Sequence, residues 1–300
     1  MPGSAPLPYP PLVRTSTALA AVLSLALTGA ARADDLPPLP GGIPDLVGAR
    51  MLGLSAGIGA PAGNDGIYYN PGAIAARRRY SVEANALLDR RGGETVDKFF
   101  GGSVVDSQSA PVTAGVAYQR AQSGLYTGNI ANLALAGPLM ERFYLGVSGK
   151  YLSLHGPVPV GAGTMDAGLL WQVADVISLG ITGYNLIPIS NAAVAPMGAG
   201  AGIALGSDTS FQVLGDWRAD FDRLGKTTNR YAVGAETLLG NLVALRLGWM
   251  DDGVLRTKWW SAGAGLVAPN GIALDVGFRQ SIDAPQARTF AASLKYFVKM

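Results

Sequence analysis

The chain has 300 residues, of which 15% are charged and 49% are hydrophobic, and it contains 41 glycines and no cysteine. Soluble domains carry roughly 25% charged residues, so this chain has too few charges for an ordinary soluble surface. The mean hydropathy is +0.25, yet beyond the N-terminus there is no run of about 18 apolar residues, which a spanning helix needs. Two classes remain: a soluble protein with a large core, or a transmembrane β-barrel whose apolar surface is divided among alternating strand positions.

Residues 1–33 have the pattern of a secretory signal peptide. Arg14 supplies the positive charge, Ala18 to Ala30 form the apolar core, and Ala31-Arg32-Ala33 provides a cleavage site before Asp34. The alternative is a membrane anchor, for which the apolar run is short. Removal of this segment takes away two arginines and leaves 21 basic and 21 acidic side chains. This balance argues against nucleic acid as a partner.

The stretch from Gly48 to Ala75 interrupts the pattern of the chain. It follows a proline-rich segment, is rich in glycine and alanine without a steady period, and ends in a turn at Asn70-Pro71-Gly72. Irregular backbone at membrane depth is tolerated only where it is buried in protein or lines a water-filled cavity. We therefore predict that residues 34–79 are an N-terminal extension and hatch, here called the plug, inside a barrel formed by residues 80–300.

From Tyr80 onward, apolar and polar residues alternate with a period of two, which is typical of half-buried strands. In the clearest strand, Phe143, Leu145 and Val147 share one face, whereas Gly146 and Ser148 share the other. The pattern predicts about fourteen strands of spanning length, and an even number places both ends of the barrel on one side. The predicted strands cover residues 81–88, 99–105, 112–120, 130–137, 143–153, 162–171, 176–184, 198–206, 210–217, 229–237, 243–250, 259–268, 272–279 and 289–298.

The connections between these strands alternate in length, as expected for long extracellular loops and short periplasmic turns. Aromatic side chains are predicted to form a girdle at each bilayer interface. The predicted extracellular girdle contains Tyr118, Tyr151, Tyr184, Trp217, Tyr231, Trp249, Trp259, Trp260 and Phe278, and the periplasmic girdle contains Phe143, Tyr144, Trp171, Phe211, Tyr296 and Phe297. The fold class predicted from the sequence is therefore all-β, a transmembrane antiparallel up-and-down β-barrel with a small N-terminal plug.

Eight charged residues fall on the polar faces of the predicted strands. A lipid-facing Arg or Lys at mid-depth would cost about 2–4 kcal/mol, so these side chains are predicted to face the lumen. They would pair with each other or with the plug, and a polar translocation route is the functional alternative. The eight residues are Lys150, Asp166, Asp216, Glu236, Arg246, Asp275, Arg279 and Lys295.

Few residues suggest catalysis or metal binding. His155 is the only histidine, and one histidine without cysteine does not build the usual transition-metal site. We therefore expect no metal and no cofactor. Ser153 and His155 share a strand face without an identifiable acid to orient them, so a barrel hydrolase would rest on His155 alone. Arg77-Arg78-Arg79 precedes the first strand and is interpreted as a solvated rim, with contact to lipid phosphate as the alternative.

The plug stretch resembles the N-terminal motif of the FadL-like and PorV-like outer-membrane proteins. In that family a Gly/Ala-rich hatch ends in an aspartate and is followed by Asn-Pro-Ala-Gly-Leu and the first strand. Here Gly53 to Gly59 supplies the Gly/Ala run, Asp65 stands at the expected distance, and Asn70-Pro71 match. Gly72-Ala73 stands where the family usually has Ala-Gly. The strand pattern beyond the motif agrees with the resemblance.

The resemblance implies a protein of the outer membrane of a Gram-negative bacterium, surrounded by outer-membrane lipid and inserted by the barrel-assembly machinery. A FadL-like member would be a non-enzymatic channel for passive uptake of hydrophobic or amphipathic small molecules, with the hatch as its gate. A PorV-like member would instead be a partner in protein secretion or surface attachment and would bind a secreted cargo protein. The short loops favour the PorV-like function, whereas the apolar segment from Asn185 to Met197 favours transport.

The hatch or gate residues expected from this motif lie close together in the sequence. We predict that Asn70 and Pro71 lie inside the barrel or at its periplasmic mouth. A residue before proline avoids helix, and the Asn70 amide can satisfy backbone groups that no strand reaches. We expect Asn70 to hold the plug against Lys295 or Asp275. The complete predicted set is Asp65, Tyr68, Tyr69, Asn70 and Pro71.

Overall fold

The segments with period-two alternation form one closed antiparallel barrel. A computed structural model describes residues 48–91, 96–222 and 225–298, so the predicted signal peptide and the start of the plug segment lie outside the described residues. The strands are β1 (Tyr80–Arg91), β2 (Asp97–Asp106), β3 (Thr113–Gln122), β4 (Thr127–Met140), β5 (Phe143–His155), β6 (Val160–Ala174), β7 (Ile177–Tyr184), β8 (Gly198–Gly206), β9 (Phe211–Asp220), β10 (Thr228–Leu239), β11 (Val243–Asp252), β12 (Thr257–Val267), β13 (Ile272–Ser281) and β14 (Ala287–Val298).

Each strand pairs with its sequence neighbours, and β1 closes the barrel against β14. The closing register runs from Tyr80 opposite Val298 to Arg91 opposite Ala287. Closure satisfies the backbone groups that an open sheet would leave at its edges. The predicted all-β barrel of fourteen strands is confirmed, with each strand close to its predicted position.

The two faces of each strand have opposite character. On β5 the side chains of Leu145, Val147 and Tyr151 point outward and are exposed, whereas Gly146 and Ser148 point inward and are buried. The same alternation around the barrel produces a continuous outward belt of Leu, Val, Ile and aromatic side chains. Such a belt is favourable when hydrocarbon covers it, which is the arrangement of a transmembrane barrel.

The two ends of the barrel differ in the length of their connections. At the end that contains Tyr80 and Val298, connections run from two residues (141–142) to six (107–112). At the opposite end they run from four residues (123–126) to thirteen (185–197). By the usual asymmetry of such barrels, the first end is periplasmic and the second extracellular.

Four aromatic residues differ from the girdle prediction, because Tyr144, Tyr184, Trp259 and Phe297 point into the lumen rather than toward lipid. Trp259 and Trp260 were both predicted at the extracellular interface, but successive side chains on a strand point to opposite faces, and Trp259 is buried in the lumen. The Arg279 guanidinium lies 4.8 Å from the centre of the Trp259 ring. Tyr184 also points inward, where its hydroxyl donates to the Tyr69 carbonyl at 3.1 Å.

The plug contains three short helical turns joined by irregular backbone. They are α1 (Ala49–Leu54), α2 (Gly66–Tyr69) and a 3-10 helix (Pro71–Ala76). Asn70 separates the last two with an extended backbone (φ −153°, ψ 99°), as expected for a residue that precedes proline. Within the described ranges, no helix has the length and apolar character that crossing a bilayer requires.

Candidate functional site: the plug and the lumen

A ring of inward-facing glycines on the barrel wall contacts the plug. A Cβ atom added at Gly146 would lie 2.4 Å from the Pro71 carbonyl, and one at Gly180 would lie 2.0 Å from the Ile58 carbonyl. Such distances require the backbone of the plug to move, so the wall and the plug are in backbone-to-backbone contact. The glycine ring consists of Gly115, Gly146, Gly168, Gly180, Gly202, Gly234, Gly248, Gly263 and Gly277, each of which approaches the plug.

Asn70 links two parts of the plug to the wall. Its amide nitrogen donates to the carbonyls of Ile58 and Leu169, both at 2.9 Å, and its Oδ1 accepts from the Gly72 amide at 3.1 Å. The side chain is fully buried. The partners expected from the sequence, Lys295 and Asp275, are therefore wrong. Asn70 binds backbone atoms of the plug and of β6 instead.

Other predicted plug residues also contact the wall. The Tyr68 hydroxyl accepts a hydrogen bond from Gln119 at 3.1 Å, and Tyr69 donates to the Ser55 carbonyl at 3.2 Å. Pro71 is buried beside Gly146 and Gly168. On the wall, the Asp216 carboxylate accepts from the backbone amides of Gly57 at 2.6 Å and Ile58 at 3.0 Å. The turn at the centre of the plug is therefore fixed by an acid on β9.

A connected set of buried charges joins the plug to the last strands, and we call it the ionic cluster. Arg50 binds Glu236 at 2.9 Å, and Arg246 lies between Glu236 at 2.6 Å and Asp275 at 2.7 Å. Lys295 continues the cluster through three carboxylates, at 3.5 Å from Asp275, 3.6 Å from Asp65 and 3.8 Å from Glu83. The cluster consists of Arg50, Asp65, Glu83, Glu236, Arg246, Asp275 and Lys295.

We expect Arg246→Met to destabilise the barrel strongly. The change leaves Glu236 and Asp275 without their shared partner, and breaking a buried ion pair costs about 3–5 kcal/mol. The measurement is urea unfolding followed by the shift between folded and unfolded bands on unboiled gels. Arg142→Met is the matched control, because the pair of Arg142 with Asp175 has side chains that are 47% and 85% exposed. Exposed pairs contribute about 0–1 kcal/mol, so equal effects of the two substitutions would contradict the structural role assigned to the cluster.

A cavity of about 160 Å³ lies between the ionic cluster and the periplasmic end of the barrel. Its wall includes Asp65, Lys295, Arg79 and Phe297. Arg79 and Phe297 also line the open basin at the periplasmic mouth, and the guanidinium lies 6.0 Å from the centre of the Phe297 ring. Burial, together with the charge of Arg77, lowers the pKa of Arg79 to about 10. Arg79 is therefore still a cation at neutral pH, and it stands with Phe297 between the cavity and the periplasmic basin.

At the extracellular end, the connection between β7 and β8 (185–197) folds over the lumen, and we call it the lid. Asn185 begins it in the left-handed region (φ 50°). Its backbone amide donates to Asp166 at 2.7 Å, its Oδ1 accepts from Lys150 at 2.9 Å, and its side-chain amide donates to the Pro196 carbonyl at 2.7 Å. Lys150 and Asp166 were predicted as lumen charges, and the structure shows that they hold the first residue of the lid. The sequence analysis did not predict this role for Asn185. The feature that could have indicated it is an asparagine, a residue that tolerates positive φ, at the start of an apolar loop.

Apolar side chains connect the lid to the plug along one side of the lumen. Val194 and Ala195 of the lid are buried against Leu152, Leu154 and other inward residues of β1 to β6. The same cluster extends down to Ala49 and Leu52 of α1. Apolar side chains on this side of the lumen therefore form one packed cluster from the lid to the plug.

The remaining predicted groups lie apart from this route. Arg279 faces the lumen beside Trp259 and donates to Thr289 at 3.4 Å. Ser153 and His155 lie on the outward face of β5, so they do not point into the lumen. In the described part of the chain, no three His, Asp or Glu side chains are grouped so that they could hold a metal ion.

These features define a class of protein: a closed barrel of fourteen antiparallel strands, with an N-terminal plug across the middle of its lumen and a lid at its extracellular end.

Three solved structures resemble this chain over most of its length. The Ralstonia pickettii toluene transporter TbuX gives a TM-score of 0.63 at 11% identity, covering 85% of this chain and 99% of TbuX. The monoaromatic hydrocarbon channel CymD gives 0.61 at 14% identity, with 85% and 97% covered. A Pseudomonas aeruginosa FadL homologue gives 0.61 at 11% identity, with 87% and 99% covered.

At these identities the likeness is one of fold, and the chain has the FadL-type fold. TbuX and CymD are a transporter and a channel rather than enzymes. No protein-family model and no curated protein matches the sequence.

Proposed function

We propose that this protein is a passive channel of the Gram-negative outer membrane that admits hydrophobic or amphipathic small molecules. The observation that carries the proposal is the cluster of apolar side chains that runs inside the barrel from the lid to the plug. A lumen for ions or sugars would need polar walls along the same path. The FadL-type fold supports the proposal, because two of its similar structures are a toluene transporter and a monoaromatic hydrocarbon channel.

In this proposal the plug is the gate. Asp65, Tyr68, Tyr69, Asn70 and Pro71 hold it closed, and ligand passage requires a displacement of the plug from the glycine ring. The ligand then leaves through the periplasmic cavity past Arg79 and Phe297. In this proposal the concentration gradient of the ligand alone drives its passage. The protein would therefore be a channel rather than an enzyme, and it would need no cofactor.

The direct test is uptake by the intact protein in a Gram-negative host that lacks its own hydrophobic-compound channels. Cells that produce the barrel should take up labelled toluene or a labelled fatty acid several times faster than cells with an empty vector. Uptake of a charged sugar phosphate of similar mass should not change. Equal uptake of toluene and of the fatty acid with and without the barrel would contradict the proposal.

A substitution in the lid tests the entry side. Asn185→Gly keeps the positive φ, because glycine adopts that region readily, but it removes the side-chain bonds to Lys150 and Pro196. Charge-assisted hydrogen bonds are the stronger ones, so we expect a loosened lid and an initial rate of toluene uptake that rises about threefold or more. Asn270→Gly is the control, since Asn270 lies in an exposed periplasmic turn. No difference between the two variants would show that the lid does not limit entry.

The PorV-like alternative predicts a different result. A secretion partner would leave permeability unchanged in every variant and would bind a cargo protein instead. None of the comparisons supports this alternative. The uptake experiment separates the two, because it measures solute passage in the absence of any cargo.

A further inference from the structure

Tyr184 and Asn185 are consecutive residues, and they contact different parts of the lumen. Tyr184 is the last residue of β7 and is buried, and its hydroxyl donates to the Tyr69 carbonyl of the plug at 3.1 Å. Asn185 is the first residue of the lid, and its bonds to Lys150 and Asp166 hold it in place. One peptide bond therefore joins a contact with the plug to the attachment of the lid.

The Tyr184 hydroxyl binds the plug close to Asn70. Tyr69 is the last residue of α2, and the last carbonyls of a helix have no donor within the helix. The hydroxyl donates to one of these carbonyls, and the next residue along the chain is Asn70, which fixes the plug to β6. The Arg218 guanidinium lies 4.0 Å from the centre of the Tyr184 ring and favours one orientation of that ring. Tyr184 therefore supports the segment on which the position of the plug depends.

Both ends of the lid are attached at the same pair of strands. Tyr184 is opposite Gly198 in the outermost pair of β7 and β8, and the lid connects these two residues. The side-chain amide of Asn185 donates to the Pro196 carbonyl at 2.7 Å, so it joins the two ends of the lid. The attachment of the lid therefore lies directly beside Tyr184.

We propose that Tyr184 is a positioning residue that couples the lid to the plug, so that the plug is released when the lid lifts. Lifting breaks the bond between Asn185 and Pro196 and turns the backbone at Asn185, and this movement draws the Tyr184 hydroxyl away from Tyr69. The proposal rests on the proposed function and adds an order of events to it. A hydrophobic molecule that enters beneath the lid releases the plug, whereas a barrel without such a molecule stays closed.

A double-mutant cycle on the purified, folded barrel in neutral detergent tests this coupling. The readout is the rate at which trypsin cuts after Arg50, followed by the mass of the released fragment, because the ion pair with Glu236 shields Arg50 in the seated plug. Tyr184→Phe removes only the hydroxyl and should raise this rate about fivefold, the order that one buried hydrogen bond supplies. Asn185→Gly alters the lid alone and should raise the rate about threefold, since a loosened lid draws Tyr184 from the plug.

The decisive comparison is the effect of Asn185→Gly in the Tyr184→Phe background. Residues that act through one contact have non-additive effects, so in this background Asn185→Gly should leave the rate of the cut unchanged. Asn191→Gly and Tyr126→Phe are the matched controls, because the Asn191 amide of the lid donates to the Tyr126 hydroxyl at 3.1 Å in a contact that does not involve Tyr184. Each control should leave the rate within about 1.5-fold of wild type.

Two results would overturn the proposal. One is an equal rise on Asn185→Gly in both backgrounds, which would show that the lid and the plug do not act through Tyr184. The other is no rise on Asn185→Gly when Tyr184 is present. Unboiled gels establish that each variant is folded, and Asn185→Asp, which loses the donor to Pro196, replaces Asn185→Gly if that variant does not fold.

The cycle also separates the coupling from transport, because the assay contains no solute. An additive cycle with normal toluene uptake would count against the coupling only. A non-additive cycle in a barrel that fails to take up toluene would count against the transport proposal only.

Discussion

In planar bilayers, Asn70→Ala is expected to raise the conductance of the barrel about tenfold or more. The change leaves the carbonyls of Ile58 and Leu169 without their side-chain donor and the Gly72 amide without its acceptor. Each buried group that loses its partner costs about 1–3 kcal/mol, and 1.4 kcal/mol corresponds to a factor of about ten in a population. The barrel strands are not altered, so the folded band on unboiled gels should persist.

Asn132→Ala is the matched control for this prediction. Asn132 is also a buried asparagine that faces the lumen, but its amide has no hydrogen-bond partner among the described residues. We expect the conductance of Asn132→Ala to stay within about twofold of wild type, because this variant loses no contact between the plug and the wall. If Asn132→Ala conducts as well as Asn70→Ala, added space in the lumen explains the effect, and Asn70 does not hold the plug.

Gly146→Ala should displace the plug by a different route. The added methyl would lie 2.4 Å from the Pro71 carbonyl group and 2.6 Å from the Gly72 nitrogen, which are backbone atoms and give way only if the segment moves. Overpacking of this kind costs about 1–3 kcal/mol. We expect trypsin to cut after Arg50 in the variant, whereas in wild type Arg50 is shielded by its ion pair with Glu236.

Gly149→Ala provides the control on the same strand. Gly149 faces outward, and a Cβ added there would have no heavy atom closer than 4.0 Å. Gly180→Ala, on β7, should repeat the effect of Gly146→Ala, because its methyl would lie 2.0 Å from the Ile58 carbonyl. Resistance of Arg50 to trypsin in both inward variants would mean that the plug does not depend on close contact with the wall.

The barrel could be predicted because lipid imposes a simple rule on each strand. An outward position must be apolar, so a strand such as Phe143–His155 shows its period in the sequence. Inward glycines were also visible in the sequence, because Gly146 falls on the polar face of this strand. The short turns of α1 and α2 were not predicted, because the plug has no lipid-facing side and therefore no regular pattern.

The contacts of the site could not be predicted in the same way. Asn70 and Leu169 are 99 residues apart, and their contact depends on how far the plug rises inside the barrel. The hydrogen bonds of Asn185 with Lys150 and Asp166 depend similarly on the position of the lid. The error at Trp259 had a local cause, because its neighbour Trp260 takes the outward position and only one of two adjacent residues can do so.

Lys295 has a consequence for the biogenesis of the barrel. It belongs to the last strand, yet it neutralises Asp65 from the plug and Glu83 from the first strand. Until β14 docks, these two carboxylates have no cation from the closing strand, and an unpaired buried charge is strongly unfavourable. Seating of the plug and closing of the seam are therefore one cooperative event rather than successive ones. A chain that ends before residue 295 is therefore expected to lack a stable half-closed state, because Asp65 and Glu83 would stay without the cation of the last strand.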